Sequence, residues 1–450
     1  MRRSCALQLA VETMTAVRAV KPILPTKVGK AGIPYAQGMA AGPWVFATGH
    51  MAQAYPGGLD TAVERAGLPH GGLPKNQKEA DLIFSRIQAV LREAGTGLEN
   101  IVRVDQYYPT HTAVDHYHVV RHKRLPTVPP STSMLVDALP VPGAQMNVQA
   151  IAVMPGAERK PTPLRDAAIN SHPTSGYPPA LASGDFVFIA GMTPGARPGE
   201  PARDGIAEAA HMPAGNLWRS TPIKLQTEYI IEQKILPALA LAGSSAKSVC
   251  KAQVYLVHPE DYSPFLQVWN RFFGDSPAAI SIIPVSNPGV GQFQSRLEIN
   301  VLALKDAGAT RKQIVASDAF AGYAEVPGAV RAGDLLLLSG LMAVDENGLV
   351  ADARADSGQP YLMSSIKAQM RAMLSRANDI CARAGASLDN IVRIQHFHTD
   401  LRELLPALEV WQEFVPGKPL PFTAVGVPPH MPAPGVSVLL DLWIYAPEGQ

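Results

Sequence analysis

Three things are scarce in this sequence: unbroken apolar runs, charge of one sign, and cysteine. No stretch approaches the roughly 18 apolar residues of a membrane span. Lys and Arg total 39 against 38 Asp and Glu, and no basic stripe is interleaved with aromatics, so the electrostatic footprint of a nucleic-acid binder is missing. Cys5, Cys250 and Cys381 are odd in number and far apart, which argues against a disulfide framework and for a reducing compartment. Arg2 and Arg3 precede an apolar stretch, Ala6 to Val11, that Gln8 interrupts and Glu12 stops; it is too short for a signal sequence. A cytoplasmic protein without a membrane partner is expected, with residues 1–27 as a loosely held tail. There is no nucleophile elbow, Walker loop or dinucleotide fingerprint, and Gly289-Val290-Gly291 reads as a turn.

What is present is repetition. Residues 94–104 (AGTGLENIVRV) recur at 384–394 (AGASLDNIVRI) and, in worn form, at 242–252 (AGSSAKSVCKA). Gly95, Gly243 and Gly385 lie 148 and 142 residues apart, a domain's length and too long for a solenoid repeat. The chain therefore reads as three tandem copies, at 28–157, 170–305 and 318–447, with linkers near 156–170 and 305–317.

Each copy has the same order of signals. In the first, the apolar run Trp44-Val45-Phe46-Ala47-Thr48-Gly49 reads as a buried strand, and Ile83, Ile87, Val90 and Leu91 fall on one helical face that ends at Gly95. A strand at 101–108, a helix at 113–123 and a strand at 145–153 follow. The second copy has its buried run at 186–191, a Gly/Pro-rich insertion at 193–222, and a helix carrying Ile231, Ile235 and Leu239 in which Pro237 should introduce a kink. Strands at 249–257 and 296–304 flank a helix at 261–273. The third repeats this with strands at 335–340, 391–398 and 437–445, and helices around Met370 and at 403–415. The fold class is α+β, each copy a mixed sheet with two helices on one face.

Several motifs then stand out: Gly32-Ile33-Pro34-Tyr35-Ala36-Gln37-Gly38, Ala47-Thr48-Gly49 and Val148-Gln149-Ala150-Ile151-Ala152-Val153 in copy one; Gly176-Tyr177 and Ile189-Ala190-Gly191 in copy two; Gly322-Tyr323 and Leu338-Ser339-Gly340 in copy three. Together they resemble the Rid family (reactive intermediate deaminases, YjgF-like) from about residue 28 to 447. The resemblance implies a chorismate mutase-like fold and, because members are homotrimers with clefts between subunits, a covalent pseudo-trimer, alone or within a further oligomer. A closed ring needs two different faces on each domain, and tethering makes its assembly intramolecular. The three clefts are then free to diverge. The resemblance implies a small-molecule substrate with no cofactor and no metal; that no nucleic acid is expected rests on the balanced charge alone.

The same resemblance implies site residues. An arginine that pairs with the substrate carboxylate is the third residue of a Pro-Ala-Arg-Ser stretch; Ser131, Ala279 and Thr423 stand there instead, which points to a substrate that is neutral or held by other groups. An acidic residue on the last strand, which orders the attacking water, survives only as Glu298; copy one has Asn147, and copy three has Leu439 with Asp441 two residues on. Tyr35, Tyr177 and Tyr323 match a cleft tyrosine, and Thr48 and Ser339 a cleft hydroxyl. The catalytic set is thus Glu298, Tyr35, Tyr177, Ser339 and Thr48; the substrate-binding set is Tyr323, Ser131, Asn147, Arg296, Thr423 and Asp441. Glu298 is expected to join Tyr35 and Thr48, or Tyr323 and Ser339, in a composite site. The plainer role for Glu298 is an ion pair, with Arg296 for example.

His396 and His398 alternate on a strand, and His118 and His122 are one helical turn apart, spacings compatible with a metal. No third ligand accompanies either pair, so structural histidines are the expectation. Cys250 reads as a small buried residue. The function expected is hydrolysis of a C–N bond in an imine, enamine or amide-like compound. One rival is a Rid-like protein that binds a metabolite or partner without turning it over. A second is the nuclease or translation-inhibitor role of some relatives, against which the balanced charge and the lack of an aromatic-basic patch weigh.

Overall fold

The computed structural model describes residues 20–447 apart from 55–56, 65–71, 170–175, 214, 216–219, 290, 317–325, 355–357 and 359–364. The first domain runs β1 (Val20–Val28), β2 (Ile33–Ala41), β3 (Trp44–His50), α1 (Lys75–Ala94), β4 (Ile101–Tyr108), α2 (Thr112–Arg124), β5 (Ser131–Leu135) and β6 (Asn147–Val153). The second has β7 (Thr162–Leu164), β8 (Ala180–Ser183), β9 (Phe186–Met192), a small hairpin of β10 (Ala202–Arg203) and β11 (Ile206–Ala207), and a helix α3 over 222–241. It closes with β12 (Val249–Leu256), α4 (Tyr262–Phe273), β13 (Ala279–Pro284) and β14 (Leu297–Leu304). The third has β15 (Lys312–Val315), β16 (Ala329–Ala332), β17 (Leu335–Leu338), a hairpin of β18 (Val344–Asp345) and β19 (Gly348–Leu349), and α5 (Ser365–Arg383). Then come β20 (Ile391–His398), α6 (Leu404–Phe414), β21 (Phe422–Gly426) and β22 (Val438–Tyr445).

All three large sheets share one topology: 1-2-3-6-4-5, 7-8-9-14-12-13 and 15-16-17-22-20-21. The last strand of each domain lies inside its sheet, and the edge pairs β4–β5, β12–β13 and β20–β21 are the parallel ones. The repeated segment works alike in each copy. Gly95, Gly243 and Gly385 all take positive φ, as helix-ending residues that reverse the chain do. The strand that follows carries the same bulge, at 101–103, 249–251 and 391–393.

One sheet face packs on the domain's own helices, with Ile83, Phe84, Ile87, Val90 and Leu91 of α1 as the example in the first domain. The other faces meet in a core shared by all three domains: Trp44 and Phe46, Phe186 and Phe188, Leu335, Leu337 and Trp443. Trp44 meets Phe186 edge-on at 4.8 Å and donates its indole N–H to Asp334 Oδ1 at 3.0 Å, so one side chain ties three domains. The ring closes edge to edge. Gly340 N–H bonds Ile280 O at 2.9 Å, joining domains two and three; Ala36 and Leu420 N–H bond Leu420 O and Pro34 O at 3.1 Å, joining three and one. Arg103 reaches Ile189 O at 3.2 Å, joining one and two.

Three features depart from expectation. Strands β1, β7 and β15 lie in stretches read as tail or linker; each is an edge strand, and β1 carries Lys21, Pro22, Pro25 and Lys27, the residue types that keep an edge from pairing further. The long insertion of copy two exceeds its counterparts by only five or six residues, counted from Gly191 to Gln226 against Gly49–Glu79 and Gly340–Gln369. Helix α3 continues through Pro237 and carries, just before it, a π turn that the sequence reading did not include, Ile231–Ile235; Gln226 to Gly243 spans 17 residues where the other copies have 16. One extra residue is absorbed as a π turn, which keeps both helix ends in register.

His396 and His398 are buried between the third sheet and its helices. Trp411 Nε1–H donates to His396 Nε2 at 3.0 Å, and His396 Nδ1 lies 3.2 Å from His398 Nε2. Burial, helped by His398, holds His396 well below the ordinary 6.5; burial drives His398 to about 4, and burial plus Arg86 does the same to His50. Among the described residues no group of three or more His, Cys, Asp or Glu is placed to hold a metal.

Two outcomes follow from this packing. Phe186→Ala removes the aromatic at the three-domain junction and lowers stability by about 3–5 kcal/mol in chemical denaturation; a loss below about 1 kcal/mol would mean that the shared core does not hold the domains together. The buried histidines stay neutral in the folded chain while the unfolded chain takes up protons below about 6.5. Their contribution is therefore complete above pH 6.5 and shrinks as pH falls toward 4, by at most about 3 kcal/mol for each group that falls to about 4. His398→Phe should flatten part of that acid slope in urea midpoints; an unchanged slope would contradict the assignment.

Candidate active site

Sheet register identifies equivalent positions without reference to motif. Val104 pairs with Ser131, Ala252 with Ile280 and Ile394 with Phe422, so Ser131, Ile280 and Phe422 are equivalent, as are Thr132, Ser281 and Thr423. Tyr107, Tyr255 and Phe397 pair with Asn147, Glu298 and Leu439. The motif-based set Ser131, Ala279 and Thr423 therefore mixes three different register positions. Copy one has 27 residues from Val104 to Ser131, whereas the others have 28 over the same span. Counting three back from Gly38, Ala180 and Ala329 puts Val326, rather than Tyr323, at the place of Tyr35 and Tyr177; Tyr323 itself lies outside the described residues.

The seam between domains two and three shows where a cleft lies. A small cavity of about 30 Å³ is lined by Tyr262, Ile280, Ile282, Val326, Gly340, Met342 and Leu439. It is wholly apolar apart from the tyrosine hydroxyl. The equivalent positions at the seam of domains one and two are Val114, Ser131, Ser133, Tyr177, Gly191, Thr193 and Glu298; at the seam of three and one they are Leu404, Phe422, Ala424, Tyr35, Gly49, Met51 and Asn147. One of three seams is polar and acidic.

At that seam Glu298 is 4 % exposed and packs over Gly191, where any Cβ would collide with its Oε1 and meet Thr132 Oγ1 at 3.0 Å. Gly191 is thus the residue that lets the carboxyl approach the neighbouring domain. Burial raises the Glu298 pKa to about 8; the Gly289 N–H, Arg103 and Lys234 oppose the shift and Asp105 adds to it. Thr132 receives a bond from Arg103 Nη2 at 2.8 Å and from Asn300 Nδ2 at 3.2 Å, which ties the two domains beside the acid.

The structure separates the composite sets expected from sequence. Tyr35 and Thr48 share a 2.7 Å hydrogen bond at the seam of domains three and one, where Tyr35 also packs edge-on against Phe422 at 5.1 Å. Asn147 donates to Ala424 O at 3.4 Å, and Thr423 to Gln149 Oε1 at 3.3 Å, at that same seam. Ser339 belongs to the seam of two and three, donating to Pro327 O at 2.6 Å and accepting the Ile280 N–H at 3.1 Å. Arg296 forms an ion pair with Asp261 at 2.5 Å and lines a separate, larger cavity with Arg203, His211 and Phe293. Tyr177, half-buried against the second core, and Ser131 are the residues of the expected set whose positions fall at the seam of Glu298. His50 Nε2–H donates to Gln37 O at 3.0 Å.

Asp441 belongs to a buried network at the meeting of the sheets. Asp105 bridges Arg103 at 2.6 Å and Arg393 at 2.9 Å, and Asp441 bridges Lys251 at 2.7 Å and Arg393 at 3.6 Å. Burial opposes ionisation of Asp441, but Lys251 and Arg393 outweigh it and hold its pKa below the ordinary value. Gln253 bonds Gln395, which bonds the Tyr107 hydroxyl, 3.1 Å from that of Tyr255. Sequence reading missed this network because its members, Arg103, Lys251 and Arg393, sit in strands that otherwise read as core. The signal was in the repeat itself: a cation at the third position of every copied strand.

A second device is threefold as well. Glu79, Gln226 and Gln369 each accept the backbone N–H two residues ahead of Asn147, Glu298 and Leu439. Eight or seven residues further along each helix, Arg86, Lys234 and Arg376 donate to Met51 O, Thr193 O and Met342 O at 2.7, 2.8 and 2.8 Å. Each long helix thus holds two segments of its own domain that lead into the cleft wall.

Comparison with known proteins agrees with this architecture. The chain belongs to the family described as endoribonuclease L-PSP, whose model matches residues 28–154, 168–305 and 311–438; it is a three-domain protein of the Rid (YjgF-like) class. It is 31% identical over 114 residues to a RutC family protein of Pyrococcus abyssi, covering 25% of this chain and 76% of that one. The crystal structure of yeast Mmf1 aligns with 32% of this chain and 99% of its own, at 21% identity and a TM-score of 0.26. A chorismatase aligns with 77% of this chain and 93% of its own, at 10% identity and a TM-score of 0.47. No helix among the described residues is long and apolar enough to cross a membrane.

Asp105→Asn leaves Arg103 and Arg393 buried beside a neutral amide. The expected cost is about 3–5 kcal/mol of unfolding free energy; a change within about 0.5 kcal/mol would show that Asp105 does not compensate the two buried guanidinium groups.

Proposed function

We propose that this chain hydrolyses a C–N bond of a small imine, enamine or amide-like molecule at the seam of domains one and two. The observation that supports this best is Glu298: a carboxyl buried at an inter-domain seam, at a position where the other copies have Asn147 and Leu439. With a pKa near 8 both of its forms are populated at neutral pH. As carboxylate it takes a proton from water while the oxygen attacks the carbon of the C–N unit; as acid it returns that proton to the departing nitrogen. Ser131 and the Tyr177 hydroxyl orient the substrate. The apolar seam with Leu439 and the amide-bearing seam with Asn147 lack a proton-transfer carboxyl at that position, and we assign them to binding or to structure.

The test is ammonia or amine release from small imines generated in solution, using the full chain and Glu298→Gln. The variant should lose roughly 10²–10⁴ in kcat, and kcat/KM of the parent should rise with pH and level off near 8. Retained turnover in the variant would remove Glu298 from the mechanism. The same carboxyl leaves a stability signature. The folded chain holds this proton up to about pH 8 whereas the unfolded chain releases it near 4.5, so parental stability falls between those values, at most about 1.4 kcal/mol per pH unit. Glu298→Gln should lack that decline; identical slopes would mean that the carboxyl is not buried at the seam.

A further inference from the structure

Lys234 departs from its counterparts in the same copy that carries Glu298. Arg86 uses both arms on protein, Nη1 to Met51 O at 2.7 Å and Nη2 to Asp60 at 2.9 Å. Arg376 does likewise, to Met342 O at 2.8 Å and Val344 O at 2.9 Å. Among the described residues, the one hydrogen bond of the Lys234 ammonium goes to Thr193 O at 2.8 Å, although the side chain is only 8 % exposed. Thr193 is two residues beyond Gly191, the residue under the Glu298 carboxyl. Lys234 is carried on the π turn that absorbs the extra residue of α3, the kind of local irregularity often found at functional sites.

We infer that Lys234 is a substrate-binding residue of the Glu298 seam, its remaining N–H donors directed to an oxygen, carbonyl or carboxylate, borne by the substrate next to the C–N bond. The inference rests on the hydrolase reading for its substrate and on the geometry for its residue. An ammonium has three donors and no acceptor; one is used by Thr193, and a buried donor requires a partner. The charged groups that act on Lys234 are Glu200 and Arg197 of the insertion and Glu298, with the Tyr229 ring 5.8 Å from its nitrogen; those that act on Glu298 are Arg103, Asp105 and Lys234. Burial, with Arg197 adding, lowers the Lys234 pKa to about 8 against the pull of Glu200 and Glu298. At this seam, therefore, a proton donor and a proton acceptor titrate in the same range.

Two readouts on the full chain test this, with acetate as the probe of a carboxylate oxygen. The first is the Glu298 titration, taken from the pH dependence of stability relative to Glu298→Gln. Lys234→Met should raise it, since a cation that lowers it is removed, and Lys234→Arg should leave it in place. The second is line broadening of ¹³C-acetate. The parent should bind it, and Lys234→Met should weaken binding about tenfold or more, the loss of one charge-assisted hydrogen bond. Lys234→Arg, free to use its second arm on protein as Arg376 does, should weaken it too. No acetate binding by the parent, equal binding by Lys234→Met, or an unmoved Glu298 titration would each overturn the inference. If both readouts respond while Glu298→Gln still turns over imines, the pairing stands and the hydrolase reading falls.

Discussion

The interaction on which the rest depends is the meeting of three sheets face to face. Each domain alone would expose one apolar sheet face, carrying Trp44 and Phe46, Phe186 and Phe188, or Leu335, Leu337 and Trp443. Full burial of a side chain of this size contributes about 1.5–3 kcal/mol, so the shared core favours one closed assembly over three separate domains. The polar network beside it has a different character. Buried ion pairs contribute little net stability because desolvation offsets attraction. Arg103, Lys251 and Arg393 against Asp105 and Asp441 instead discriminate among arrangements, since each carboxylate bridges cations from two different domains.

Closing the ring with one chain lets the three seams differ. In a symmetric assembly a substitution at one cleft occurs at all three. Here Glu298, Asn147 and Leu439 occupy one register position, and Ser131, Phe422 and Ile280 another. The seam of domains two and three has become apolar, and that of three and one has filled its hydroxyls with internal bonds, Tyr35 to Thr48 and Thr423 to Gln149. The acidic seam is the one whose carboxyl is held by burial and not neutralised by an ion pair.

Much of the fold was legible because each copy repeats the same signals in order. Strands 101–108 and 391–398 were readable to the residue, since an apolar run followed a helix-ending glycine in every case. The leading strands β1, β7 and β15 were not, because edge strands rich in proline and lysine lack the alternation that marks a half-buried strand. The site was legible in part. Glu298 could be picked out because it matches the acidic position that the Rid resemblance implies on the last strand, but its partners could not. They come from the preceding domain, Thr132 and Arg103; the one-residue shorter loop of copy one put Ala279 one residue short of the Ser131 position, and the motif put Thr423 one residue beyond it. Lys234 was visible only once the helix was counted backward from Gly243, because the extra residue hides the match to Arg86 and Arg376 when it is counted forward.

The most direct measurement is amide hydrogen exchange at Ala36, Leu420 and Gly340, whose N–H groups bond carbonyls of a different domain: Leu420, Pro34 and Ile280. If the domains form a closed ring, these amides exchange as slowly as those inside the sheets, because their opening requires separation of the seams. If they exchange at the rate of exposed loop amides while the sheets stay protected, the domains do not close on one another, and a site shared between them does not exist.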